Sequence, residues 1–184
     1  GIDVSVKVNR VRTAIVVLDV DDLSPVDSVT WEGPTVFPYV PGLLSFREIP
    51  AILPALELLS RIPDAIMLDG HGFAHPRRFG LACHLGVLLD IPSLGVAKSR
   101  LIGAYQEPGM AKGDSSPLTD KNELIGAVLR SRARVNPVFV SVGHKMELND
   151  ALNLTLASTS RYKIPEPTRL AHHLSKKGNL VIST

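Results

Sequence analysis

The sequence predicts an α/β fold with a central mixed β-sheet flanked by helices. Three apolar, β-branched segments follow one another near the start of the chain, and the later segments alternate between helical and strand periodicity. The chain has 184 residues, 45% of them hydrophobic and 21% charged, which is enough for one domain with a substantial core. Because no internal repeat or linker interrupts it, we expect residues 1–184 to form a single domain.

The first three elements are predicted to be strands. Ile2–Val8 alternates between apolar and polar residues, and Thr13–Val20 is apolar and β-branched, as expected for a central strand. Ser28–Val36 is the third strand, interrupted at Gly33 and Pro34. The short connections between these segments predict an antiparallel meander.

A helix is predicted next, over Leu43–Arg61, where apolar residues recur near helical spacing and Pro50 and Pro54 should bend the axis. The remaining segments alternate in type, with buried strands that are short and continuously apolar. In chain order they are a strand at Ala65–Leu68, a helix at Phe79–Leu89, strands at Ser93–Ala97, Glu123–Arg130 and Pro137–Val142, and helices at Glu147–Ser158 and Thr168–Lys176.

Three strands followed by helix, strand, helix and strand is the element order of an RNase H-like fold. In a sheet of that kind the first and fourth strands are neighbours. Asp3 on the first strand and Asp69 at the end of the fourth would therefore lie close together.

Three acidic residues stand at the edges of apolar segments: Asp3, Glu48 and Asp69. A carboxylate at the end of a buried strand is costly unless it meets a cation or a hydrogen-bond donor. Three carboxylates that converge can hold one or two hard divalent ions through oxygen, and such ions assist phosphodiester cleavage. Taken singly, Asp3 and Asp69 are more typical of turn or cap residues, and Glu48 is more typical of a solvent-facing helix residue.

The charge balance allows a polyanionic partner without requiring one. The formal net charge is +2, and the basic residues cluster, as at Arg77-Arg78, Lys98–Arg100 and Arg130–Arg134. These clusters fit either a solvated surface or phosphate contacts. In contrast, Asp19, Asp21 and Asp22 precede Ser24-Pro25, which favours a hairpin turn over a metal site.

The cysteine content indicates a reducing compartment. Cys83 is the only cysteine, so no intrachain disulfide exists, and we expect a cytoplasmic protein. No signal peptide is visible, and the apolar run at Leu85–Leu89 is too short to span a bilayer, so no membrane partner is expected. The chain does not begin with Met, so we expect further residues upstream. A monomer is expected because no heptad pattern appears.

Five segments, in order, resemble the signatures of the endonuclease V family. Phe37–Glu48 is similar to its marker segment, and Asp69–Arg78, with its Asp-Gly-x-Gly start, is similar to the second signature. Gly95–Leu101, Asn136–His144 and Ile164–His172 continue the match across essentially the whole chain. The resemblance implies an RNase H-like fold and an endonuclease that requires Mg²⁺, or Mn²⁺ as a substitute. It also implies hydrolysis of the second phosphodiester bond 3′ to inosine, the deamination product of adenine, to initiate DNA repair.

The resemblance also implies roles for single residues. Asp3, Glu48 and Asp69 match the metal-binding residues, and Lys98 and His172 match an active-site lysine and a histidine close to the metal. The resemblance also implies substrate-binding residues. Tyr39 would fill the gap left by the displaced base, and the glycines Gly42, Gly70 and Gly72 would let the backbone approach that base. His75 either contacts substrate or bonds only to the backbone.

The predicted partner is DNA that contains deoxyinosine, although the residues leave RNA that contains inosine open. A protein that binds deaminated or distorted nucleic acid without cutting it is the main alternative. The presence of all three carboxylates and Lys98 favours the enzyme, since a binder would tolerate their loss. A small-molecule α/β binding protein is disfavoured because no phosphate-binding loop is present.

Overall fold

The computed structural model describes residues 1–177, and the chain divides into two compact units. The first unit combines Gly1–Pro63 with the segment that starts at Pro167, and the second is Asp64–Glu166. The single-domain organisation stays a prediction. Within the described residues, no helix is long and apolar enough to cross a membrane, and the cytoplasmic location stays a prediction too.

The described elements follow the predicted succession of strands and helices, with one additional strand. They are β1 (Ile2–Lys7), β2 (Arg10–Leu18), β3 (Pro25–Pro34), α1 (Leu44–Leu56), β4 (Ile66–Leu68), α2 (Leu81–Leu89), β5 (Ser93–Ala97), β6 (Ser115–Asp120), β7 (Glu123–Leu129), β8 (Val138–Val142), α3 (Leu148–Ala157) and α4 (Glu166–Lys177).

In the first unit, β3, β2 and β1 form an antiparallel meander in that spatial order, as predicted. The connection between β2 and β3 is the predicted turn, in which the Asp19 carboxylate accepts from the Asp21 amide at 2.9 Å and the Asp22 carboxylate accepts from the Ser24 amide at 2.8 Å. The predicted interruption of the third strand was wrong, because β3 stays paired with β2 as far as Pro34.

Two helices of this unit pack against the meander. Helix α4 places Leu170, Ala171 and Leu174 against Ala14 and Val16 of β2, and all five side chains are buried. Burying a valine or leucine side chain stabilises a fold by roughly 1.5–3 kcal/mol. This packing fixes which side of α4 faces the strands.

Helix α1 ends about one turn earlier than predicted. Its last turn tightens, with the Leu58 amide donating to the Ala55 carbonyl at 3.2 Å. The chain is then held by Asp27 of β3, whose carboxylate accepts from the Ser60 amide at 2.8 Å and from the Ser60 hydroxyl at 2.7 Å. Helical periodicity does not predict a contact between residues so distant in sequence.

In the second unit, the strand order is β4, β5, β8, β7 and β6, with β4 and β5 parallel and the other pairs antiparallel. The sheet of this unit is therefore mixed, as predicted. β6 was not predicted from the sequence; it is an edge strand that contains Pro117 and fully buries only Leu118. Proline and a polar pattern are compatible with strands at an edge, where one side needs no ladder partner.

Candidate active site

Asp3 faces α4 because of the register of the first hairpin. It pairs with Ala14, which packs against α4, so both side chains point to the same face of the meander. The Asp3 side chain is only 10% exposed. Its Oδ1 lies 3.2 Å from His172 Nδ1, and its Oδ2 accepts from the Ser175 hydroxyl.

His172 and Ser175 approach Asp3 together because they are three residues apart on α4 and therefore lie on one helix face. The Ser175 hydroxyl also lies 3.0 Å from the His172 carbonyl. The structure thus brings together two of the predicted site residues, Asp3 and His172. Their ligand atoms are close enough to hold one metal ion.

Asp69 and Lys98 meet at the carboxyl ends of two parallel strands. Leu68, the last residue of β4, pairs with Gly95 of β5, so Asp69 and Lys98 follow strands that end at the same edge. The Lys98 ammonium donates to Asp69 Oδ2. The pair is reachable from solvent, since the Lys98 side chain is 45% exposed and that of Asp69 is 20% exposed.

Glu48 and Tyr39 belong to α1 and to the loop before it. Glu48 is half-buried beside the buried Ile49 near the start of the helix. Tyr39 is 64% exposed, and the guanidinium of Arg47 lies 5.8 Å from the centre of its ring. Gly42 has a φ of +80°, a left-handed conformation that favours glycine, so part of its value to this loop is conformational.

The two glycines of the Asp-Gly-x-Gly segment differ in their surroundings. A Cβ at Gly72 would lie 2.1 Å from the Val142 carbonyl oxygen, whereas a Cβ at Gly70 would meet nothing within 4 Å. Gly72 is therefore required by close packing against β8. Gly70 borders open space, as a backbone that approaches a base would.

His75 is buried and bonds to the backbone. Its Nδ1 accepts from the Arg77 amide at 3.3 Å, and its carbonyl accepts from the Arg78 amide at 2.8 Å and from the Arg78 guanidinium at 3.1 Å. Burial lowers the pKa of His75, and the charge of Arg77 lowers it further. A neutral imidazole with a backbone partner fits the structural alternative for His75, and its contact with substrate stays a prediction.

Four residues that the sequence analysis did not assign also shape these sites. Ser175 bonds to Asp3, Arg47 lies over Tyr39, and His71 Nε2 lies 3.0 Å from the Ser99 carbonyl oxygen. Arg78 joins the Asp69–Arg78 segment to the β6–β7 hairpin through ion pairs with Asp120 at 2.8 Å and Glu123 at 2.6 Å. Three of the four had a sequence signal: Ser175 through its spacing of three from His172 on a helix, and His71 and Arg78 through their place in the Asp69–Arg78 signature.

The contrast between the two glycines predicts different effects of alanine. Gly72→Ala is expected to lower the free energy of unfolding by about 1–3 kcal/mol, because the new methyl group overlaps a backbone oxygen that cannot turn away. Gly70→Ala is expected to change stability by less than about 0.5 kcal/mol. Urea unfolding of both variants measures the difference, and equal stabilities would contradict the packing role of Gly72.

Asp69 lies beside a lysine and Asp3 beside a histidine, and carboxylates of this kind can hold the divalent ions that assist phosphodiester cleavage. The family model described as Endonuclease V matches residues 1–173. The chain belongs to the endonuclease V family and is a nuclease.

Individual relatives agree with the family model. The chain is 51% identical to Endonuclease V of Xanthomonas campestris pv. campestris (strain B100), over 94% of this chain and 74% of that protein. The crystal structure of Endonuclease V from Streptomyces avermitilis superposes with a TM-score of 0.93 at 47% identity, over 96% of this chain and 78% of that one. This match confirms the predicted fold class, an α/β fold of the RNase H-like type.

A third relative was solved with nucleic acid. Ciona intestinalis Endonuclease V, in complex with a 24mer DNA containing an inosine followed by a ribo-adenosine, has a TM-score of 0.83 and 30% identity. The match covers 96% of this chain and 83% of the Ciona chain.

Proposed function

We propose that this nuclease recognises inosine in nucleic acid and hydrolyses the second phosphodiester bond 3′ to it. The observation that carries the proposal is the Asp69–Lys98 pair at the ends of two parallel strands, in a chain of this family. A carboxylate and an ammonium at a solvent-reachable edge can hold a divalent cation and neutralise charge on a phosphate, which is the chemistry that this reaction needs. The complex of the Ciona relative with inosine-containing DNA supports the same target.

Asp3, Glu48 and Asp69 are the residues we propose to hold Mg²⁺, with Mn²⁺ as a substitute. Their carboxylate oxygens are the donors that hard divalent cations prefer. Asp3 fits this role because it is nearly buried and its partners named above are a hydroxyl and an imidazole, neither of them a permanent cation. A buried carboxylate of this kind gains from a nearby positive charge. When bound, the metal would supply charge neutralisation at the phosphate and a lower pKa for water.

The other residues act on the same reaction through their own chemistry. Lys98 can neutralise charge that builds on phosphate oxygens, and its pairing with Asp69 keeps the ammonium at the strand ends. His172 is 43% exposed and can orient a water molecule or transfer a proton, with its ring held by Asp3 through Nδ1.

Tyr39 is proposed to fill the space that the displaced base leaves. Its ring is mostly exposed in a loop stiffened by Pro38 and Pro41, so little conformational freedom is lost on insertion. Extrusion of the base itself is cheapest where pairing is already weak, as for a mispaired base.

Tyr39→Ala is expected to weaken binding to a deoxyinosine duplex by about 1–3 kcal/mol, the usual contribution of an aromatic ring stacked on a base. Binding of Mn²⁺ in the absence of nucleic acid should be unchanged. Tyr162, which is also exposed and also has an arginine beside its ring at 5.9 Å, gives the matched control Tyr162→Ala. Equal effects of the two substitutions on duplex affinity would refute the role of Tyr39.

Specificity is tested with two labelled duplexes that differ at one position, deoxyinosine in one and deoxyadenosine in the other. We expect a nick only in the first, one nucleotide beyond the lesion on its 3′ side. Nicking of both duplexes at equal rates would refute inosine recognition, and binding without a nick would support the non-cutting alternative.

RNA that contains inosine remains the second candidate substrate, and the ribo-adenosine after the inosine in the Ciona complex is the observation that favours it. The same sequence prepared as RNA, and as DNA with one ribonucleotide 3′ to the inosine, separates the two. Faster single-turnover cutting of the ribonucleotide-containing strands would identify the protein as an inosine-specific ribonuclease.

A further inference from the structure

A basic groove lies on the α4-facing side of the first hairpin, beside Asp3. The alternation of β1 places Asp3, Ser5 and Lys7 on one face, and the register places Arg12 and Arg10 opposite Ser5 and Lys7. The groove has a volume of about 150 Å³. Its lining consists of Ser5, Lys7, Arg10, Val11, Arg12, Glu32 and Ser175.

The groove carries an excess of positive charge. Glu32 is the only acidic residue of the lining, and it pairs with Arg12 at 2.5 Å and with Arg10 at 3.5 Å. The Arg10 side chain is 73% exposed, and Lys7 is exposed at the tip of the hairpin. Three basic residues against one carboxylate leave a net charge that attracts an anion.

Ser5 gives a second and independent sign of a ligand. It is only 4% exposed, and its Oγ is buried without a hydrogen-bond partner among the described residues. A buried hydroxyl without a partner costs roughly 1–3 kcal/mol. Because a serine χ1 has three staggered wells, a switch to another rotamer would offer the Ser5 hydroxyl to an anion in the groove.

We infer that this groove binds phosphate groups of the nucleic-acid strand that is being cut. Ser175 lines the groove and also donates to Asp3, so the groove adjoins one of the proposed metal ligands. Lys7 lies four residues from Asp3 along β1, about 14 Å at the usual rise of a strand. A stacked strand advances about 3.4 Å per nucleotide, so the groove would follow the backbone for up to about four nucleotides.

This inference rests on the proposed function, because the strand it describes is the substrate of the proposed site. Contacts of this kind position the strand without reading its sequence. Substitutions in the groove should therefore weaken binding equally for duplexes with and without inosine. Substitutions at Tyr39 or at the site residues should not have this equal effect on the two duplexes.

The test is the salt dependence of binding for Lys7→Gln/Arg10→Gln. Binding to a labelled duplex is measured in chelator from low to moderate salt, with deoxyinosine and unmodified versions. We expect this double variant to bind both duplexes more weakly by the same factor. The slope of log K against log salt should be smaller in magnitude by about 1–2. The efficiency of nicking should fall through a higher KM, with kcat unchanged. The control Arg61→Gln/Lys121→Gln removes the same charge from two exposed residues outside the groove and should leave the slope unchanged.

Ser5→Ala gives a second readout that a merely structural role would not produce. It should leave the thermal midpoint unchanged or raise it, because it removes an unpartnered hydroxyl, and yet weaken duplex binding several-fold.

The outcomes separate the groove from the function. Phosphate binding by the groove would be refuted if the wild-type protein nicks at inosine and the groove variant has the wild-type slope and KM. It would also be refuted if the control variant shows losses equal to those of the groove variant. Either result would leave the proposed function in place. Wild-type protein that binds with the expected slope but never nicks would overturn the proposed function, while a smaller slope in the groove variant would still support phosphate binding.

Discussion

Asp69→Asn is expected to lower the rate of nicking at deoxyinosine on the order of a thousand-fold, equivalent to about 4 kcal/mol of transition-state stabilisation. The substitution keeps the shape of the side chain and removes its charge. It would weaken the hold on a divalent cation and leave Lys98 without its ionic partner at the end of β4. Single-turnover nicking of a labelled duplex measures the loss.

The matched control is Asp64→Asn, which makes the same change in an exposed residue of the same unit, two residues before β4. It should retain wild-type nicking. Circular dichroism of both variants should show the wild-type unfolding midpoint within a few degrees, since Asp69 is itself partly exposed. Wild-type nicking by folded Asp69→Asn would remove this residue from the site.

Asp3→Asn is the second substitution with a large expected effect, a loss of more than about 100-fold in nicking. Asp3 holds both His172 and Ser175 through its two carboxylate oxygens, so the uncharged amide would disturb the proposed metal ligand and the position of the imidazole together. Ser175→Ala removes one of these contacts and should cost about 10-fold, as expected of a residue that only positions a ligand.

Asp21→Asn, in the exposed turn between β2 and β3, is the control in the same unit and should nick normally. Affinity for Mn²⁺ is measured beside the nicking rate. A loss of nicking by Asp3→Asn with unchanged Mn²⁺ affinity would contradict metal binding by Asp3 and leave it a role in holding His172.

The parts of the fold that the sequence predicted are those controlled by local periodicity. Ser93–Ala97 is fully buried and has no polar side chain after Ser93, and it forms β5 with the predicted bounds. The β2–β3 turn follows from the short polar side chains of Asp19 and Asp22, which bond to amides two residues ahead. Strand β6 was missed because its pattern is polar and includes Pro117, so only pairing with β7 defines it.

In the candidate site, too, some features could be predicted from the sequence, whereas others depend on contacts between distant residues. The family signatures assigned Asp3, Asp69 and Lys98, whose partners in the structure fit their proposed roles. The hydrogen bond from Ser175 to Asp3 joins residues 172 positions apart, and no local pattern reports such a contact. Likewise, both glycines of the Asp-Gly-x-Gly segment look alike in sequence, and only the approach of the Val142 carbonyl oxygen separates Gly72 from Gly70.

The most direct test of the account is nicking of a duplex with one deoxyinosine in Mg²⁺, in Mn²⁺, in chelator, and after Mg²⁺ is restored to the chelated protein. We predict a nick one nucleotide beyond the lesion on its 3′ side with either metal, none in chelator, and recovery when Mg²⁺ is restored. Cutting that persists in chelator, or a folded protein that binds the duplex and never cuts it with either metal, would contradict the account.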